Sequence, residues 1–154
     1  MASSRPNIVL VQVNGAERPV LEKAAAAAVN PGDLIEVTSA GLVTPVASAG
    51  KVNGKAFALE NPFAPDPTQS ALAQAYVAND QVPHVYAQGG DMVNARLAAA
   101  QTVAIGDVLA SSSTAGCLAK ITVDATTLAG APVAIADEAV TTTGSTGRIL
   151  VRVL

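Results

Sequence analysis

Few residues in this chain have the chemistry to act on a substrate. It has one histidine, His84, one cysteine, Cys117, and twelve acidic residues among 154. A Ser-His-Asp arrangement would have to use His84 as its base. No Gly-x-Ser-x-Gly elbow occurs, however, and Gly144-Ser145-Thr146-Gly147 has the wrong spacing. The serines gather in Thr/Ser/Gly stretches that turns already explain, so His84 reads as an exposed or internally satisfied strand residue. Cys117 falls at the start of an expected strand and reads as a small core residue. A lone cysteine permits neither an internal disulfide nor a multi-cysteine metal site. The acids are scattered, with only Asp137 and Glu138 adjacent, and neighbours on a strand point to opposite faces. A calcium site built from loop oxygens stays open, although no loop has EF-hand spacing. Paired-carboxylate glycosidase chemistry depends on separation in space, and two Phe and two Tyr offer little surface for stacking on sugars. There is no Gly-x-x-x-x-Gly-Lys-Ser/Thr phosphate cradle, and Gln88-Gly89-Gly90-Asp91 opens no helix. The expectation is a non-enzyme with no catalytic residues, no metal and no cofactor.

Composition points the same way. A chain of this length is one domain by the usual prior and buries roughly 70% of the surface its unfolded form exposes. Half of it is apolar yet it has no Trp, so the core is built from Val, Leu, Ile and Ala. Those residues bury less area each than aromatics do, which favours help from partner subunits. A net charge of −3 gives no basic footprint, so nucleic acid is not an expected partner. No run approaches the ~18 apolar residues of a membrane span, and the first residues do not form a signal peptide. The charged fraction is only 14%, a surface suited to packing against other chains. The expectation is a protein made in the cytosol that stays soluble and has no membrane partner.

The elements are organised around a phrase used twice, Val29-Asn30-Pro31-Gly32-Asp33-Leu34-Ile35 and Val103-Ala104-Ile105-Gly106-Asp107-Val108-Leu109. Each is followed by a Ser/Thr cluster, a second glycine (Gly41 or Gly116) and renewed apolar residues. This predicts turn, strand, turn, strand, twice over. Pro31-Gly32 suits the centre of a type II turn, where glycine supplies positive φ, and Asp33 can accept backbone N–H groups. Gly106 and Asp107 repeat the pattern without proline, and Gly90-Asp91-Met92-Val93 is a partial third copy. The same phrase occurs in biotinyl- and lipoyl-carrier sandwiches, where a hairpin tip holds a modified lysine. The tips here, residues 38–41 and 111–116, hold none.

Around these phrases the chain reads as short strands. Residues 8–13, 34–37, 42–46, 55–60, 83–86, 119–123, 133–136 and 148–154 are β-branched or apolar, with Gly, Pro and Asn punctuation between them. Five consecutive alanines, residues 24–28, favour helix by propensity. Their brevity, the absence of an apolar stripe and the following Asn30-Pro31 favour extended chain instead. Residues 70–76 could form one or two helical turns. The polar stretches 124–130 and 141–147 read as loops. The fold class is all-β: a compact β-barrel or β-sandwich (β-tulip or jelly-roll-like) of short strands. Residues 1–7 form an extended, flexible N-terminal arm, and 8–154 a single β domain.

The order of these motifs resembles the small head-decoration, or capsid cement, proteins of tailed bacteriophages. The resemblance rests on the Val-x-x-Gly-Asp phrases, Asp80-Gln81-Val82, Gly90-Asp91-Met92-Val93-Asn94-Ala95, Val133-Ala134-Ile135-Ala136 and the closing Arg148-Ile149-Leu150-Val151-Arg152-Val153-Leu154, and covers roughly residues 30–154. It implies an all-β virion protein that binds the outer capsid surface and clamps the major capsid protein against internal pressure. It further implies a homotrimer in preference to a dimer. The candidate inter-subunit contacts are Ser3, Ser4 and Arg5 in the arm and Asn61, Pro62, Phe63 and Pro65 in a proline-rich loop, none of which has an evident core role. The competing expectations are a tail or receptor-binding β domain and a small carbohydrate-binding or hydrolytic β protein.

Overall fold

Short β-branched runs broken by turn residues can only make short strands, and the backbone partners of each strand must come from far along the chain. The computed structural model describes residues 7–63, 65–122 and 130–154. Ser3, Ser4 and Arg5 of the expected arm lie outside the described residues, as do residues 124–129 of the expected loop and the end of the expected 119–123 strand. Among the described residues there are thirteen strands. They are β1 Leu10–Gln12, β2 Leu21–Ala24, β3 Leu34–Val37, β4 Val43–Pro45, β5 Ala56–Ala58, β6 Gln81–Tyr86 and β7 Met92–Leu97, then β8 Thr102–Val103, β9 Val108–Ser111, β10 Leu118–Lys120, β11 Pro132–Ala136, β12 Val140–Thr141 and β13 Gly147–Val153. The all-β expectation holds, in its barrel form.

The barrel runs β7-β10-β9-β11-β13 and closes by pairing β13 back onto β7, from Gly147 opposite Leu97 to Arg152 opposite Met92. Closure removes the exposed edges that an open sheet would carry. Alternation along β13 turns Ile149, Val151 and Val153 inward, where they join Val93, Ala95, Leu97, Leu109 and Leu118 in one buried cluster. A second sheet, β2-β6-β5-β3-β4, lies against the barrel, and a bridge between Ala25 and Val43 joins its two outer strands. Around β3 and β5 both of its faces are covered. Leu34 and Phe57 face the barrel cluster, while their neighbours Ile35, Ala56 and Ala58 join Val29, Val43, Tyr76 and Val82 in a second cluster. This is the two-sided cover that paired apolar residues in β3 and β4 predict. The alanine run forms no helix: Ala24 ends β2 and Ala25 makes the bridge to Val43, while Ala26 and Ala27 bend away from the extended conformation expected for the whole run.

Both predicted hairpins form, β3 with β4 and β9 with β10. The Gly-Asp phrases share one geometry. The aspartate carboxylate accepts the N–H of the residue three before it: Asn30 for Asp33 at 2.7 Å, Gln88 for Asp91 at 2.9 Å and Ala104 for Asp107 at 2.8 Å. The aspartate N–H returns a bond to the carbonyl of that same residue. The intervening glycines have φ near +90°, a left-handed region that disfavours other residues. A fourth copy, Val77-Ala78-Asn79-Asp80, closes the same way with Asn79 at φ 74°. Asparagine is the residue other than glycine that most readily accepts this conformation.

The first of these turns is built into the barrel wall. Along the open side of β7, Asn94 N–H donates to Val9 and Ala98 N–H to Leu118, and between them Arg96 N–H donates to the carbonyl of Gly32 at 3.2 Å. Leu34 N–H donates to Gly116 and Gly116 N–H to Val46, so the second sheet is also stitched to the β9–β10 hairpin. A Cβ on Gly32 would sit 2.9 Å from the Asn94 carbonyl oxygen and 2.6 Å from an Arg148 nitrogen. Gly106 has the same φ but open space around it. Alanine at Gly106 therefore carries only the left-handed penalty of about 1–2 kcal/mol. Alanine at Gly32 adds a backbone clash, so its loss of stability in chemical denaturation exceeds that of Gly106→Ala.

Two buried carboxylates in these turns are pushed in opposite directions. Burial raises Asp33 despite the Asn30 amide and Arg96, whereas at Asp91 burial is outweighed by Arg18 and by the Asn14 and Gln88 amides, which lower it. A lowered folded value means that Asp91 contributes stability above its ordinary pKa of 3.8 and that this contribution is lost as pH falls through the folded value. Asp91→Asn breaks the pair with Arg18 (2.8 Å, both side chains buried) and costs about 3 kcal/mol at neutral pH. Its stability also declines less steeply than the parent's in acid, which a series of denaturation midpoints across pH 2–7 measures.

Candidate subunit-contact surface

The proline-rich segment after β5 has no strand to hold it, so its order must come from side chains. Asn61 is buried and its Oδ1 accepts the N–H of Phe63 at 3.0 Å, a side-chain mimic of a turn. Gln74 is also buried and works from below. Its Oε1 accepts from Asp66 N at 3.0 Å, and its Nε2 donates to the carbonyl oxygens of Asp66 at 2.7 Å and Gln69 at 3.3 Å. Asp66 then gathers Thr68 and Gln69 through three bonds, and those from Thr68 lead in holding its carboxyl below the usual range. Ser70 caps a single 3-10 turn at Ala71–Ala73 by accepting from Leu72 N, and its hydroxyl also bonds the side chain of Asn7. That turn is the whole of the helical expectation for residues 70–76. Tyr76, fully buried, hydrogen-bonds the Leu59 carbonyl at 2.9 Å and anchors the end of the segment.

What this scaffold displays is apolar. Phe63 is 75% exposed and Val77 62%, and with Pro65 they rim a cleft of about 510 Å³ whose floor includes Tyr76. Single exposed apolar residues such as Val52 or Ile105 are ordinary, whereas Phe63, Pro65 and Val77 share one concavity. Asp80 and Gln81 complete the cleft on its polar side.

No family model matches this chain, and no curated protein matches it.

The remaining expected residues fall into two groups. Pro62, Phe63 and Pro65 are exposed together, while Asn61 lies beneath them and acts by positioning. Gly32, Asp33, Gly90, Asp91, Gly106 and Asp107 sit in three separate turns that converge on no common site. His84 is not exposed: it is fully buried in β6, its Nδ1 3.0 Å from the Val82 carbonyl and its ring edge-on to Tyr86 at 6.0 Å. Cys117 is buried, and burial pushes its thiol up, which suits a core residue. Among the described residues no group of three or more His, Cys, Asp or Glu could hold a metal ion. The sequence reading missed Val77 and Gln74. The fourth Asp-capped turn, at 77–80, was the signal available for Val77; for Gln74 there was none.

Gln74→Ala removes the three hydrogen bonds that hold Asp66 and Gln69 of the loop to the buried Gln74 side chain. The expected result is faster proteolytic cleavage within residues 61–70, with a change of no more than about 1.5 kcal/mol in global unfolding, since hydrogen bonds contribute about 0.5–1.5 kcal/mol each and this loop lies outside the barrel cluster.

Proposed function

We propose that this chain is a non-enzymatic structural protein of a virus particle, which binds the outer surface of the capsid lattice and stabilises it. Its partners in this reading are the major capsid protein and further copies of itself, arranged as a homotrimer, and its place is the capsid exterior. The observation that carries the reading is the display of Phe63, Pro65 and Val77 by a loop tied down through buried Asn61 and Gln74. A pre-ordered loop loses little conformational freedom on binding, so a modest apolar surface gives useful affinity. Repetition of one contact over a symmetric lattice multiplies that affinity. The motif order from residue 30 onward supports the same reading, as does a low-charge surface. Ser3, Ser4 and Arg5 remain contact candidates within it.

The test adds purified protein to expanded capsids that lack it. Stoichiometric, saturable binding with raised resistance to heat supports the proposal. Phe63→Ser leaves the melting temperature of the free protein unchanged, because the side chain is exposed. It weakens capsid binding about thirtyfold or more, the effect of losing an aromatic anchor worth about 2 kcal/mol. A protein that binds no capsid form, or a Phe63→Ser variant that binds as tightly as the parent, would sink the assignment of this surface.

A further inference from the structure

Arg96 on β7 and Arg148 on β13 stand directly opposite one another in the pair that closes the barrel. Like charges in that position repel, so each needs compensation. Arg96 has it: its Nη1 donates to Asp33 Oδ1 at 2.8 Å. Arg148 does not. Its Nη2 donates to the carbonyl oxygens of Pro31 at 2.8 Å and Leu72 at 2.7 Å, and its Nη1 approaches the Asn94 oxygen at 3.5 Å. Carbonyls satisfy donors but carry no net charge, and among the described residues no carboxylate forms an ion pair with Arg148. Two guanidinium groups and one carboxylate leave one positive charge over. Burial, and after it the charge on Arg96, destabilise the protonated form of Arg148.

That charge lies at a surface cleft of about 340 Å³ lined by Arg96, Arg148, Thr146 and Asn30. The Thr146 hydroxyl accepts from Arg96 Nη2 at 3.1 Å, which leaves its own proton free to be donated. Each guanidinium has five N–H groups, and those of Arg96 and Arg148 are only partly used by the bonds just described. A concave site with spare N–H groups on two guanidinium groups, one spare hydroxyl proton and one net positive charge matches a small oxyanion. We propose that this cleft is a binding site for a carboxylate or phosphate group. The group is either free in solution or carried as an acidic side chain on a neighbouring chain; anion binding itself does not depend on the capsid reading, whereas the competition that separates the two sources rests on it.

The full chain is titrated with inorganic phosphate and with acetate, at ionic strength held constant with chloride, while the amide resonances of Thr146, Gly147 and Arg148 are followed. Saturable shifts confined to this region are expected, and Arg148→Gln weakens them at least tenfold. Because Arg148 also holds the carbonyls of Pro31 and Leu72, a variant that keeps those ties is needed alongside it. Thr146→Val is that variant: the residue is exposed, so the melting temperature is unchanged while phosphate affinity falls severalfold. Shifts that do not saturate, or affinities identical in the parent and Thr146→Val, overturn the proposal. Competition separates the two sources. If phosphate displaces the protein from a particle it binds, the anion is a side chain of the neighbouring chain; if phosphate binds without displacement, the anion is a free one.

Discussion

The architecture depends on one buried contact, the carboxylate of Asp33 against the guanidinium of Arg96 at 2.8 Å. The pair matters less for its own energy than for its position, since a buried ion pair returns little beyond the cost of removing two charges from water. Asp33 terminates the turn that enters the barrel wall, and Arg96 is the wall residue whose N–H receives that turn. Every neighbour conforms to the insertion. Gly32 leaves room for Arg148 and the Asn94 carbonyl, and a Cβ at Gly116 would collide with the Asp33 carboxylate. Removing Arg96 would leave the buried Asp33 carboxylate without its charged partner in the joint between the two sheets.

The joint explains how a chain with so few aromatics fills its interior. The strands β3 and β5 send alternate residues into two clusters, so Leu34, Ile35, Ala56, Phe57 and Ala58 are all buried. Leu34 and Ile35, adjacent in sequence, serve different cores. The contribution from each small aliphatic residue is modest, about 1.5–3 kcal/mol on full burial, but few positions are spent on a solvent face. What is left over is a loop outside the sheets, its apolar rim and the polar cleft beside the joint.

Local features of this fold were legible in the sequence and distant ones were not. Leu34–Val37 appears where its branched residues placed it, the two hairpins form, and β13 shows the alternation that its residues spell out. The Gly-Asp caps were readable because a turn and its cap lie within four residues. The copy at 77–80 was missed because Asn79 takes the glycine position. The insertion itself could not be read, since pairing Gly32 with Arg96 is a tertiary fact with no periodic trace. From sequence His84 reads as an exposed or internally satisfied strand residue, and neither its neighbours nor those of Asn61 show that these side chains are buried. The exposed character of Pro62, Phe63 and Pro65 followed from their neighbours, and Val77 from nothing but its turn.

The tie between Arg148 and the Pro31 carbonyl spans 117 residues, and that between Arg96 and Asp33 spans 63. Contacts of such separation give no reward until most of the chain has been brought together, so the entropy of loop closure must be met before the joint can form. Neither core can be completed early by a local nucleus, because the strands that divide them are seated only when the turn enters the wall. Such a chain folds late and as a unit, on the slow timescale of non-local β topologies, and its partly folded forms present unpaired strand edges. A protein of this kind is most vulnerable while it is being made, and most secure once the last turn has closed.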